Sequence, residues 1–127
     1  MPLLFVMIGG GLGAGARFLT GRATLALFGP GFPYGTLAVN LIGGLLMGAL
    51  TGVLARSVGA AEPWRLFLGV GVLGGFTTFS SFSLDVAGMI ERGAMGMALF
   101  YALLSVIGSV LALFAGLMLT RSTGALT

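Results

Sequence analysis

The chain has no cysteine, no histidine and no lysine, and only three acidic residues, Glu62, Asp85 and Glu91. Without cysteine there can be no disulfides, thiolate metal sites or cysteine nucleophiles. With no histidine and only separated acids, general acid–base and metal-hydrolytic schemes lack their parts, so the chain is not read as an enzyme. Charge of either sign is scarce: 7% of the 127 residues are charged, against about 25% in a soluble domain. Such a surface could not be kept in water. The pI is about 10.7, but the net charge is only +3 and the arginines stand singly. No basic patch dense enough for nucleic acid exists. Gly9-Gly10-Gly11 is not a phosphate loop either, because no Lys-Ser/Thr follows and no strand precedes it.

What the chain does have is apolar residues and glycine. Hydrophobic residues make up 57% and glycine fills 24 positions, with a mean hydropathy of +1.14. No G-X-Y period accompanies the glycine, so collagen is excluded; glycine-rich apolar sequence is what closely packed membrane helices use. The expected fold is an all-α membrane protein, a single domain over 1–127. A spanning helix needs about 20 apolar residues at 1.5 Å rise each. Four such segments occur, at about 2–28, 34–55, 64–89 and 94–119. The first has no basic region before it and is followed by further spans, so it reads as a span rather than a cleaved signal. Gly29-Pro30-Gly31-Phe32-Pro33 breaks the chain after the first span. A polar loop with Arg56, Ser57, Glu62 and Pro63 separates the second from the third, which opens on the interfacial pair Trp64-Arg65.

Four spans put both termini on one side. That side holds Arg56, Arg65 and Arg121, and the other holds Arg22 and Arg92. So weak a bias under the positive-inside rule allows insertion in both orientations, and a deeper Arg22 would restore a single one. Small residues recur every fourth position in Gly44-xxx-Gly48-xxx-Gly52, Gly9-xxx-Gly13, Gly11-xxx-Gly15, Gly71-xxx-Gly75 and Gly108-xxx-Ala112-xxx-Gly116. Such faces attract helices in lipid. Four short helices are expected to use few of them internally, which points to an oligomer.

Polar groups inside the spans are costly and mark function by default. Arg17 lies mid-to-late in the first span, where snorkelling to the headgroups is the alternative. Asn40 lies about two turns into the second, where it either lines a wet path or bonds a neighbouring helix. The third span carries Gly74-Gly75-Phe76-Thr77-Thr78-Phe79-Ser80-Ser81-Phe82-Ser83. Paired glycines and β-branched threonines weaken helix, which predicts a break at about Gly74–Thr78. Freed carbonyls at such a break can meet a cation, and the new helix N-terminus an anion. The plain alternative is ordinary packing, with the hydroxyls bonded back to the preceding turn. Donors without a mid-span acid favour a small anion, and aromatic edges carry partial positive charge.

Gly-Ala-Gly-Ala-Arg-Phe (13–18), Gly-Thr-Leu-Ala-Val-Asn (35–40) and Gly-Gly-Phe-Thr-Thr-Phe-Ser-Ser-Phe (74–82) together resemble the three signatures of the Fluc, or CrcB, fluoride channels. Order, spacing, span number and length agree over essentially the whole chain. The resemblance implies an antiparallel, dual-topology homodimer in the bacterial cytoplasmic membrane, with two pores exporting fluoride passively. It implies Asn40 as a pore donor, Phe79 and Phe82 as an aromatic box, and Ser80 and Ser81 as a polar track. Thr36, Tyr101 and Ser105 match positions associated with ion passage, and Arg17 would supply positive potential near the entry. A structural Na⁺ on the dimer axis would be held by the backbone carbonyls of Gly74 and Thr77. Ser81 departs from the threonine common in the family, keeping the hydroxyl and losing a methyl. Two rivals remain. A small multidrug exporter would need an acid in the first span, which has none, and an assembly subunit would need no hydroxyl–aromatic cluster.

Overall fold

The computed structural model describes residues 2–55 and 61–125, with side chains to Arg121; Arg56 and Ser57 of the expected polar loop lie outside the described residues. Five helices follow one another: α1 (Pro2–Phe28), α2 (Tyr34–Leu54), α3 (residues 61–76), α4 (Ser80–Glu91) and α5 (Met95–Ala125). No strand occurs among the described residues. With α3 and α4 taken together as one interrupted span, four segments are long and apolar enough to cross a bilayer. The third runs from Ala61 to Glu91, longer at both ends than the sequence predicts.

Local chemistry explains the ends. Pro2 opens α1, where its missing N–H is no loss. At the other end Gly29 takes φ +77° and its N–H returns to the Leu25 carbonyl at 2.9 Å, the left-handed stop that glycine tolerates. Gly93 does the same for α4 at φ +81°. Its N–H reaches the Ile90 carbonyl at 3.0 Å, and the Ala94 N–H reaches Met89 at 2.8 Å. This paired closure turns the chain into α5 within three residues.

Most of the glycine faces are spent inside the chain. A Cβ on Gly48 would collide with the Leu113 carbonyl, one on Gly116 with that of Leu45, and one on Gly52 with the Thr120 hydroxyl. These contacts seal α2 against α5. Gly9 and Gly13 meet the backbone of α3 at Phe67 and Val72, while Gly75 meets that of Gly10. The expectation that four short helices use few of these faces internally is therefore corrected: among the named pairs, only Gly11 and Gly15 have nothing within 4 Å of a Cβ.

One stretch of α3 departs from α-helical geometry. Arg65–Leu73 winds as a π-helix over 9 residues, with i→i+5 bonding that is rare and concentrates at functional sites. Its wider turns present Gly71 to α1 and Gly69 to α2. At its start Arg65 clasps Glu62 through two hydrogen bonds, Nε to Oε2 at 3.0 Å and Nη2 to Oε1 at 2.6 Å.

Candidate functional site at the helix break

The break falls at 77–79, between Phe76 and Ser80. Gly74 and Gly75 stay helical, so the predicted window was right in place but the glycines are not its cause. Thr77 is extended, with φ −82° and ψ 161°. Its methyl sits where a Cβ on Gly43 of α2 would be, and its hydroxyl donates to the Leu73 carbonyl at 3.0 Å. β-branching and a glycine notch together hold that conformation.

Side chains then take over the backbone groups that the break releases. Asn40 of α2 clasps Thr78 at both ends: its Oδ1 accepts the Thr78 N–H at 2.8 Å, and its Nδ2 donates to the Thr78 carbonyl at 3.0 Å. The Thr78 hydroxyl accepts the Ser81 N–H at 3.1 Å, a side-chain cap on the first turn of α4. Arg17 donates through Nε to the Gly75 carbonyl at 3.1 Å. In an unbroken helix Thr78 N–H would serve the Gly74 carbonyl and Ser81 N–H that of Thr77. Both donors are diverted, which releases the carbonyls of Gly74 and Thr77 from their helical partners.

A cavity of about 400 Å³ lies against the break. Asn40, Thr78, Phe79, Phe82, Ser105 and Ser109 are among its walls. Ser105 is 5% exposed, and its Oγ has no hydrogen-bond partner. A buried hydroxyl without a partner costs about 1–3 kcal/mol, so this atom marks a place where something else bonds. The Phe79 and Phe82 rings are 5.5 Å apart, tilted by 43°. Phe82 continues to Tyr101 at 5.3 Å, whereas Phe79 is 77% exposed.

The remaining expected residues are distributed otherwise. Thr36, Ser81 and Arg17 line a second cavity of about 280 Å³, which Thr78 shares with the first. Tyr101 is fully buried, and its hydroxyl donates to Asp85 Oδ2 at 3.0 Å. Its one proton is thereby committed. Ser80 is exposed, with its Oγ 3.4 Å from that of Thr78. Reading the sequence missed Ser109, although Tyr101, Ser105 and Ser109 share one face at four-residue spacing. It also missed Asp85 as the partner of Tyr101, and Gly43 as the notch. No cluster of three or more histidine, cysteine, aspartate or glutamate side chains that could hold a metal ion occurs among the described residues.

The profile of the family described as CrcB-like protein, Camphor Resistance (CrcB), matches residues 4–117. A relative from Phenylobacterium zucineum, named fluoride-specific ion channel FluC, is 60% identical over 120 residues, 94% of each chain. One of the same name from Sphingopyxis alaskensis is 57% identical over 116 residues, 91% of this chain and 92% of the relative. A third, from Mesorhizobium japonicum, is 54% identical over 120 residues, covering 94% and 96%. These relatives are bacterial, and four membrane-length helices make the chain a multi-pass protein of the bacterial cytoplasmic membrane. Matched along nearly its whole length, it belongs to the CrcB-like family, whose members are ion channels rather than enzymes.

Proposed function

We propose that the chain is the subunit of a fluoride-selective channel that lets fluoride leave the cytoplasm passively. The observation that carries this reading is the cavity at the break, in which an unpartnered buried hydroxyl, Ser105, shares a wall with Asn40 and the tilted Phe79–Phe82 pair. Fluoride is the smallest halide and loses the most on dehydration. A path for it must replace water with closely set donors, and a narrow donor-rich constriction then discriminates against chloride. Phenyl edges add partial positive charge without an exchangeable proton. Weakly acidic HF enters cells and dissociates, and a negative-inside potential then drives fluoride out.

The dual-topology homodimer and its two pores belong to the same proposal. The 12 residues of α4 rise about 18 Å at 1.5 Å each, which sets the break near the middle of a core about 30 Å thick. A two-fold axis in the membrane plane would bring two such breaks together. Phe79, open on the surface of one subunit, would then be covered by the other. Fluoride would pass along Asn40, Phe79, Phe82 and Ser105, with the hydroxyls of Thr36, Ser80 and Ser81 continuing its track and Arg17 bordering the entry. Tyr101 orients Phe82 through ring contact.

A structural Na⁺ fits the donor set. It is a hard cation that prefers oxygen ligands, and unwound carbonyls in discontinuous membrane helices suit it. Gly74 and Thr77 supply two carbonyls released from helical donors, and an antiparallel copy would supply two more. The ion would neutralise the carbonyl dipoles at the break.

The test is fluoride efflux from liposomes, read with a fluoride electrode against a chloride control. The native protein is expected to release fluoride and retain chloride, and Phe82→Ile to stop release while still assembling. A well-folded native protein that releases no fluoride would overturn the reading. Ser105→Ala gives a finer result. Removing an unpartnered buried hydroxyl should leave the thermal midpoint unchanged or raised, yet slow fluoride release by about tenfold, the value of one charge-assisted hydrogen bond. An unchanged efflux rate would remove Ser105 from the path.

A further inference from the structure

Arg17 stands on the same face of α1 as Gly9 and Gly13, at successive four-residue steps. The two glycines hold α1 backbone-to-backbone against α3. One turn further on, Arg17 reaches the last turn of α3, and Nε donates to the Gly75 carbonyl at 3.1 Å. That carbonyl would otherwise have accepted the Phe79 N–H, which lies beyond the extended Thr77. Neither Nη has a partner among the described residues. Arg17 also borders the second cavity, together with Thr36, Thr78 and Ser81.

We infer that Arg17 is a positioning residue whose essential contribution is the N–H donor at Nε, independent of the guanidinium charge. It caps the C-terminal end of α3 and so fixes the carbonyls and hydroxyls on either side of the break. The inference rests on the fluoride-channel reading and adds to it that the hydrogen bond, rather than the positive charge, is what the path requires. A cation at a helix C-terminus is favourable in any case, so charge and hydrogen bond must be separated by chemistry.

The side-chain skeleton allows this. The bonded atom is the one attached to Cδ, and glutamine carries an N–H donor attached to the same carbon. Arg17→Gln therefore keeps the donor, at the same reach, and removes the charge. Arg17→Lys keeps the charge, one methylene further out, and removes the donor from that position. Arg17→Met removes both at similar length.

The three variants and the native protein are compared for fluoride efflux from liposomes and for thermal midpoint in detergent. Arg17→Gln is expected to stay within about threefold of native efflux, while Arg17→Met and Arg17→Lys fall by about tenfold or more, the range of one lost hydrogen bond to a half-buried carbonyl. The midpoints should follow the same order. Overturning results are native-like efflux in Arg17→Lys with Arg17→Gln as slow as Arg17→Met, which would mean charge alone, or no separation among the three. If the native protein itself released no fluoride, the channel reading would fail. The midpoint order would still decide whether the cap exists.

Discussion

Asn40→Asp is expected to reduce fluoride efflux by about a thousandfold at neutral pH. The two amide atoms of Asn40 hold both backbone groups of Thr78, at 2.8 and 3.0 Å. An aspartate keeps the acceptor for Thr78 N–H. It replaces the donor with a carboxylate oxygen facing the Thr78 carbonyl, and like-signed dipole and charge would push the break open. The same charge would stand on the wall of the cavity beside Phe79 and Phe82. Two unit charges 4 Å apart at an effective dielectric constant of 20 repel by about 4 kcal/mol, and 1.36 kcal/mol is a factor of ten in rate. A protonated aspartic acid, by contrast, restores a donor and an acceptor in the places the amide had them. Efflux should therefore recover as the pH is lowered, whereas Asn40→Leu should be slow throughout and serves as the control for HF leakage. Full efflux by Asn40→Asp at neutral pH would mean that the clasp has no part in conduction.

Gly48→Ala should cost the fold heavily, although it adds only one methyl group. The added Cβ would lie inside the contact radius of the Leu113 carbonyl oxygen, which is backbone and cannot rotate away. Only separation of α2 from α5 would relieve it, and Gly44 and Gly52 on either side also meet α5, at the Ser109 carbonyl and the Thr120 side chain. Overpacking a filled contact costs about 1–3 kcal/mol, so the thermal midpoint in detergent should drop clearly and the efflux-competent fraction with it. Gly11→Ala adds the same methyl to open space and should melt with the native protein. Equal midpoints for the two variants would show that the α2–α5 seam is not packed as described.

These two sites also mark what could be read from the sequence. Hydropathy alone located the four spans, because twenty apolar residues in a row have few other uses. The break was placed within a few residues because β-branched threonines beside serines compete with helix. Only part of that window leaves the helix: Thr77 and Thr78 do, whereas Gly74 and Gly75 remain helical, held by the close approach of Gly10 and the cap from Arg17. Glycine spacing identified the faces at Gly44, Gly48 and Gly52 but not their partner. A small-residue face attracts any helix of matching shape, and only the tertiary structure says that α5 of the same chain takes it. Asn40 was legible as a polar group in need of partners, while its attachment to both ends of one peptide unit was not. The π-helical stretch left no signal, since its residues are the same apolar and glycine types an α-helix would use.

The α2–α5 seam also bears on how the protein responds to temperature. Where Gly48 meets Leu113 and Gly116 meets Leu45, the surfaces brought together come out of hydrocarbon rather than out of water. The large heat-capacity change of unfolding in soluble proteins arises from hydrating apolar surface, and separation of these helices within the bilayer hydrates almost none. The stability of the seam should thus vary nearly linearly with temperature, without the dome that brings cold denaturation to soluble domains.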